Sequence, residues 1–426
     1  MIRNIHKELL HELYRAPVHL HWVLANFGHR LMPGFSFGWR GRIIRRLVGF
    51  ACAFGCARLI VSFVAATELA RLMYLARRAP QLELPESSCI FVGFGAGSEE
   101  QMWHGFKNDS DGLAIRLDQT LPETFLSYHR PGTRELLKQI WCESGVVVPF
   151  LLNTLLESGA PNRKDSVTYA ALRMAAYVLY RTWWRDLRNK SISKIVFISP
   201  DIPAYACIDA GMTPVEYHQH GFHIVSILMP PFDVLRLLTQ ADVDWYQQHL
   251  PKSRFEISPS PERVAQHLPR ILVASIYNYP KGELPEPWSK NQDSALLQSL
   301  VDWADKENLE VIVRMHPRES DNFWKVRFPK LRIDATQDSF QEALLRIKPM
   351  FVVSWGSTCL VDATKENVVP VSIMGTNSKH LDWFVYDVSK HCLLWPDDKV
   401  ILEEVVGGRL DPETVISKLN NRNSLL

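Results

Sequence analysis

Three short constellations in this 426-residue chain carry residue types that act on charged ligands. The first is Val311-Ile312-Val313-Arg314-Met315-His316-Pro317-Arg318-Glu319, an apolar run that stops at His-Pro. A buried strand ending there sets the His316 imidazole at the carboxyl edge of a sheet, the edge where open α/β folds bind ligands. Pro317 biases His316 toward an extended backbone and so helps to fix its direction. With Arg314 beside it, the loop offers an N–H donor and positive charge to a phosphate. The competing reading is a turn histidine whose ring is satisfied by backbone carbonyls.

The second constellation, Val352-Val353-Ser354-Trp355-Gly356-Ser357-Thr358-Cys359-Leu360-Val361-Asp362-Ala363, reads as strand, glycine turn and helix. Ser357 or Thr358 would be the N-cap. Ser354, Gly356, Ser357 and Thr358 would then surround free amide hydrogens and hydroxyl donors suited to an anion. Ordinary capping without a ligand is the alternative. Two anion-competent loops after neighbouring strands are a rarer coincidence than either alone.

The third is His218-Gln219-His220-Gly221-Phe222-His223 at the end of another apolar run. The histidine spacing matches no well-defined metal set, and no carboxylate or thiol lies close in sequence, so no metal is expected. His220 is instead the candidate general base for an acceptor hydroxyl, because imidazole titrates near neutrality. Gly221 beside it lets a ligand approach closely. Competing bases are Glu99 and Glu100, just after the glycine turn Gly93-Phe94-Gly95-Ala96-Gly97, and Asp201, after Ser199-Pro200. Each acid also reads as a carboxylate stabilising a helix N-terminus. The third glycine is misplaced for the dinucleotide fingerprint, the spacing being Gly-x-Gly-x-Gly, which disfavours a dehydrogenase and implies no redox cofactor.

These residues need parallel strands to position them. Past Pro85 strands and helices alternate: strands at Cys89 to Val92, Lys194 to Ile198 and Pro214 to Tyr217, then at Ile271 to Ile276, Glu310 to Met315, Met350 to Val353 and Val369 to Ile373. Helices are expected over Ser294 to Glu307 and Phe340 to Ile347. Successive βα units imply parallel sheets covered on both faces. The polar, proline-bearing stretch from Tyr246 to Pro269 reads as a linker. The expected organisation is a helical region at 1–85, a Rossmann-like domain at 86–255 and a second at 265–426, with the sheets facing a central cleft.

Residues 1–85 are the least regular part. Arg40, Arg42, Arg45 and Arg46 precede two apolar runs, Leu47 to Ala57 and Leu59 to Ala66, interrupted by Arg58. Three readings stay open: a helix in the membrane interface, a core helix and a transmembrane helix, the basic flanks favouring the first. Tyr180-Arg181-Thr182-Trp183-Trp184-Arg185 is a second interfacial candidate, or else a helix end whose tryptophans are core. A net charge of +2 gives no case for a nucleic-acid partner, and 46% hydrophobic content excludes disorder. Seven scattered cysteines, mostly within apolar runs, read as reduced thiols, and the N-terminus shows no secretory signal. The expected location is the cytoplasm, at the inner face of the cytoplasmic membrane.

The run Arg-x-His-Pro-Arg-Glu from Arg314, the Ser-x-Gly-Ser-Thr-x-Leu-x-Asp-Ala from Ser354 and the following Val-Val-Pro-Val strand resemble the nucleotide-binding half of bacterial capsule-polysaccharide glycosyltransferases. These include Kdo-transferring capsule proteins, bacterial sialyl- and polysialyltransferases, and teichoic-acid glycerophosphotransferases; Gln219-His220-Gly221 is similar to the His-Gly element of the last. The resemblance implies a GT-B fold, metal-independent transfer and a CMP- or CDP-activated donor held in the C-terminal domain. His316, Ser357 and Thr358 would contact the donor phosphate, and His220 would stand at the reacting centre. Sialyltransferases carry an acidic pair followed by glycine, where this chain offers Glu99-Glu100-Gln101.

The expected function is transfer from a nucleotide-sugar donor to a glycan or glycolipid acceptor, with inversion because no covalent nucleophile can be argued. The alternatives are a sugar-nucleotide epimerase or hydrolase on the same scaffold, and a non-catalytic module of polysaccharide assembly or export.

Overall fold

The computed structural model describes residues 14, 18–24, 39–76, 81–82, 89–93, 113–116, 125–126, 132–157, 163–219, 223, 228–258, 264, 266–274, 290–315, 324–326, 328–336, 338–373 and 385–421. The chain divides into two compact units. The first comprises Met1–Gln219, Val225–Arg236 and Tyr246–Glu256; the second comprises His220–Ile224, Leu237–Trp245 and Ile257–Leu426.

The first unit begins with helices α1 (Trp39–Ala53) and α2 (Ala57–Ala76), separated by a turn at Gly55, whose φ of +70° suits glycine. Two short strands, β1 (Gln81–Leu82) and β4 (Phe125–Leu126), pair in parallel. Between them lie β2 (Cys89–Gly93) and β3 (Leu113–Arg116). Two 25-residue helices follow, α3 (Thr133–Glu157) and α4 (Arg163–Leu187). Then come β5 (Lys194–Phe197), α5 (Ile202–Asp209), β6 (Val215–His218), β7 (Val234–Leu237) and β8 (Arg254–Ile257); α6 (Gln240–Gln247), between β7 and β8, belongs mostly to the second unit.

The six-stranded sheet has the order β3-β2-β5-β6-β7-β8. The chain leaves β2 to one side and returns to β5 on the other, so the sheet has its switch point between β2 and β5, where doubly wound folds bind ligands. β2 is buried at every position, as expected of a parallel strand covered on both faces.

Helix α4 is the centre of the helical layer and packs against α1, α2, α3 and α5. Trp184 is fully buried, donates its indole N–H to Pro203 O at 3.1 Å and meets Phe197 edge-on. Trp183 is 5% exposed and Tyr180 3%. Tyr180 to Trp184 are therefore core and not an interfacial patch, with Arg185 exposed beyond them. Arg181 is accepted there because Glu143 of α3 and Asp209 of α5 bind its Nη1 at 3.1 and 3.2 Å, and Tyr177 donates to Asp209 at 2.8 Å.

The second unit runs β9 (Leu268–Ala274), α7 (Lys290–Lys306), β10 (Glu310–Arg314), β11 (Arg332–Asp334), α8 (Phe340–Ile347), β12 (Pro349–Ser354), α9 (Cys359–Lys365), β13 (Val369–Ser372), α10 (Val388–His391), β14 (Leu393–Leu394), α11 (Lys399–Val406) and α12 (Pro412–Asn421). Its sheet order is β11-β10-β9-β12-β13-β14, and every adjacent pair is parallel. Counting from β9, this is the 3-2-1-4-5-6 order of the Rossmann fold, with the switch point between β9 and β12.

Three helix-to-strand returns in this unit pass through a left-handed residue: Asn308, Lys348 and Asn367, with φ of 56°, 51° and 64°. Such a residue ends a helix while turning the chain back toward the sheet, and asparagine tolerates it best. At its other end α8 carries a full capping box between Ser339 and Glu342.

The Tyr246 to Pro269 stretch is only partly a linker, since α6 continues to Gln247 and β8 lies within it. As the last strand of its sheet β8 is only partly covered, so it lacks an apolar signature.

Candidate functional site

The carboxyl edge of the second sheet brings the two C-terminal constellations into one row. Arg314 stands in register with Asp334 of β11 on one side and Ala274 of β9 on the other; Ser354 of β12 is in register with Ser372 of β13. Ser354 is fully buried and donates its hydroxyl to Ala274 O at 2.8 Å. Ser372, equally buried, donates to Trp355 O at 2.7 Å. Both hydroxyls satisfy main-chain carbonyls where the ladder ends, which burial would otherwise make costly. Ser354 thus closes the switch point from within and offers its hydroxyl to the chain itself.

Beyond it, Gly356, Ser357 and Thr358 form a partly exposed loop leading into α9. Ser357 Oγ accepts from Cys359 N at 3.3 Å, a long capping bond. Thr358 sits at the N-cap position with helical angles and makes no side-chain cap bond. Burial pushes the Cys359 thiol up to about 12; Asp362 adds to this, while Ser357 and the Arg314 charge oppose it. Arg314 is therefore felt electrostatically at the first residue of α9.

The Arg314 guanidinium is already engaged. Nη1 binds Asp334 and Asp338, each at 2.7 Å, and Nη2 donates to the Asp338 carbonyl. Arg346 of α8 binds the same two carboxylates, at 2.9 and 3.0 Å. Burial raises the Asp334 carboxyl, but hydrogen bonds from Arg346, Thr336 and Arg314 outweigh it and hold the group below its ordinary range. Two arginines and two aspartates balance, so this clasp fastens the end of β10 to β11 and α8 and leaves little positive charge for a ligand. The contacts that Arg314 makes here are with these carboxylates and the Asp338 carbonyl. His316 and Pro317 lie outside the described residues.

Asp362, quoted in the sequence motif without a role, has the most unusual carboxylate chemistry near this edge. Burial pushes it up to about 6, with Lys365 opposing. Lys365 donates to Ser258 O at 3.2 Å; burial lowers its own value, against the pull of Asp362 and Asp242. A carboxyl whose folded value lies above its unfolded one penalises the fold only where it is ionised. The penalty is absent below about pH 4, grows between about pH 4 and 6, and is full above. Asp362→Asn is expected to raise the melting temperature at pH 8 and to leave it unchanged at pH 4. With Lys365 losing an attraction, the gain should be ~1–2 kcal/mol, under a ceiling of ~3 kcal/mol set by the shift. Equal changes at both pH values would exclude charge burial as the cause.

In the first unit, Asp201 follows β5 at that sheet's switch point. It is 6% exposed, caps α5 and accepts from Ile202 N at 2.7 Å. That is the helix-stabilising alternative weighed above. Glu99, Glu100 and His220 lie outside the described residues.

The flanking histidines part company. His218 Nε2 lies 3.2 Å from Glu216, whose carboxyl is held low first by this bond, against burial, with Lys194 and Arg236 assisting. His223 is 3% exposed, its Nδ1 3.7 Å from Asp242, and its carbonyl accepts from Val385 N at 2.8 Å. Thr239 in turn donates to Asp242 at 2.6 Å. Asp242 and Thr239 carried no sequence signal, being joined to His223 only by folding. Among the described residues no group of three metal-ligating side chains converges.

Two doubly wound sheets, one in each unit, with a helical layer added to the first, define an α/β protein of two Rossmann-like units. No family model matches the chain, and no curated protein does. Among solved structures it is similar to UDP-GlcNAc 2-epimerase of Methanocaldococcus jannaschii, in complex with UDP-GlcNAc and UDP (TM-score 0.39, 9% identity, 80% of this chain and 100% of that one). It is also similar to the wall teichoic acid polymerase TagF (TM-score 0.41, 10% identity, 91% and 93%) and to UDP-N-acetylglucosamine 2-epimerase of Rickettsia bellii (TM-score 0.37, 13% identity, 80% and 95%). At these identities the likeness is one of architecture alone.

Proposed function

We propose that the chain is an inverting, metal-independent glycosyltransferase that moves a sugar from a CMP- or CDP-activated donor to a surface polysaccharide or glycolipid acceptor. The reading is carried by the loop Gly356-Ser357-Thr358, partly exposed directly above the sealed switch point of a Rossmann-ordered sheet. Thr358 there has a hydroxyl not used in capping.

In this reading Ser357, Thr358 and His316 stabilise charge on the departing nucleotide phosphate, the electrostatic role that usually contributes most to catalysis. Arg314 and Ser354 hold the edge in shape and are not donor contacts. The acceptor hydroxyl is deprotonated by His220, with Glu99 and Glu100 as the competing bases; Asp201 is left to its cap. The attack is in-line at the anomeric carbon, and the nucleotide leaves from the opposite face.

A thermal-shift series with CMP, CDP, UDP, GDP and ADP tests the donor. A ligand that binds only the native state raises apparent stability, by ~2.7 kcal/mol at a hundred times its dissociation constant. CMP or CDP is expected to raise the melting temperature most. No shift with any of the five would remove the donor site from the second unit. Consumption of a sugar nucleotide without acceptor would replace transfer by epimerisation or hydrolysis.

A further inference from the structure

Helices α1 and α2 pack inward against α4, yet much of what they turn outward is apolar. Ile43, Leu47 and Phe50 of α1 and Phe54 in the turn that ends it recur at spacings of four, three and four, which puts them on one stripe. They are between 48% and 69% exposed, and the rings of Phe50 and Phe54 lie 4.4 Å apart. On α2 every exposed residue is uncharged: Leu59, Phe63, Thr67, Ala70 and Tyr74. α3, which packs on α2, adds Trp141 and Val146 at 44% and 49% exposure. Scattered exposed hydrophobics are ordinary, but large side chains on three neighbouring helices mark an interaction surface.

On α1 and α2 the exposed charges have one sign. Arg42, Arg45 and Arg46 of α1 are exposed, and Arg42 and Arg46 lie on one flank of the apolar stripe at helical phase. Glu68 is the sole acid of the two helices; it is 5% exposed and already held by Arg40 at 2.5 Å and Arg71 at 2.8 Å. Arg58 lies with its guanidinium carbon 4.1 Å from the centre of the Trp141 ring and donates to Trp141 O at 3.1 Å, so a cation also borders the α3 side. On α1 and α2, aromatic and aliphatic side chains flanked by arginine, without exposed acid, complement a surface that is negative outside and apolar just beneath. No helix among the described residues is long and apolar enough to cross a membrane.

We propose that this face of α1 and α2 docks in the interfacial layer of a bilayer containing anionic phospholipid, with Phe50, Phe54 and Phe63 inserted below the headgroups and Arg42 and Arg46 among the phosphates. Insertion is shallow, as for interfacial helices generally. The opposite faces of both helices stay in the protein core, so docking does not require them to unpack. This inference stands independently of the donor assignment.

The test is co-sedimentation of the full chain with large vesicles of phosphatidylcholine alone or mixed equally with phosphatidylglycerol. Binding is expected to the mixed vesicles only and should weaken in high salt. Arg42→Gln with Arg46→Gln should lower the partition coefficient roughly 30-fold, the conversion of ~1 kcal/mol per basic side chain at such a surface. Phe50→Ser with Phe54→Ser should lower it roughly tenfold or more. Both double variants alter exposed positions and should keep the parent melting temperature. Failure to bind the mixed vesicles, or binding that neither double variant weakens, overturns the proposal. So does a dimer in vesicle-free solution that the phenylalanine variant converts to monomer, because the occupant would then be a second copy of the chain.

Discussion

His316→Ala is expected to lower turnover by at least about a hundredfold while leaving the melting temperature close to that of the parent, the size usual for deleting one donor to developing charge. The argument begins one strand earlier. β10 is buried through Val311, Ile312 and Val313, and Arg314 is locked by two carboxylates and a carbonyl, so the chain emerges from the sheet at a fixed point. His316 follows two residues later, ahead of a proline that restricts its backbone. The rigid clasp would serve as a footing for a residue that must meet a phosphate with little freedom to lose. The measurement is steady-state transfer in the folded variant, with nucleotide affinity determined separately. A loss confined to kcat, with affinity changed little, is the signature of a contact made in the transition state. Unchanged kcat would take His316 out of the mechanism.

The largest stability effect is expected at Arg181. Replacing it with leucine keeps much of the apolar contact but leaves Glu143, 8% exposed, as an uncompensated buried carboxylate and removes a partner from Asp209. Breaking a buried pair from one side costs about 3–5 kcal/mol. Adding Glu143→Gln should recover part of the loss at neutral pH, a non-additivity expected of groups in contact. Urea denaturation of the two single variants and the double variant at pH 7 measures both effects. A change under 1 kcal/mol for Arg181→Leu would mean that the network carries no weight.

Arg181 also shows where reading along the chain stops. Its neighbours Tyr180, Trp183 and Trp184 have the composition of a membrane-interface patch, and nothing local reveals that Glu143 and Asp209 will arrive to neutralise it. The same holds for Arg314, whose partners Asp334 and Asp338 come from the next strand and the turn before α8. Long-range charge pairing has no periodicity and leaves no local mark. The central strands did leave one: parallel strands buried on both faces are short apolar runs, so β5, β10, β12 and β13 were legible within a residue or two of their ends. β8 and β11 were not, because strands at a sheet's margin carry residues such as Arg254 and Arg332. Of residues 47–66, those on the inner side of α2 are core, one of the three readings considered, whereas the outer side is apolar but exposed.

The second unit is assembled from three separate lengths of chain, His220–Ile224, Leu237–Trp245 and Ile257–Leu426. Leu238 packs against its core, and Asp242 stands beside His223 within it. A fragment beginning at residue 257 would have every strand of the Rossmann sheet and still lack these two inserts. Autonomous folding of either half is therefore not to be assumed. A chimera that exchanges the second unit with that of another protein would have to transplant all three lengths together, or bring in side chains that take over the inserts' contacts.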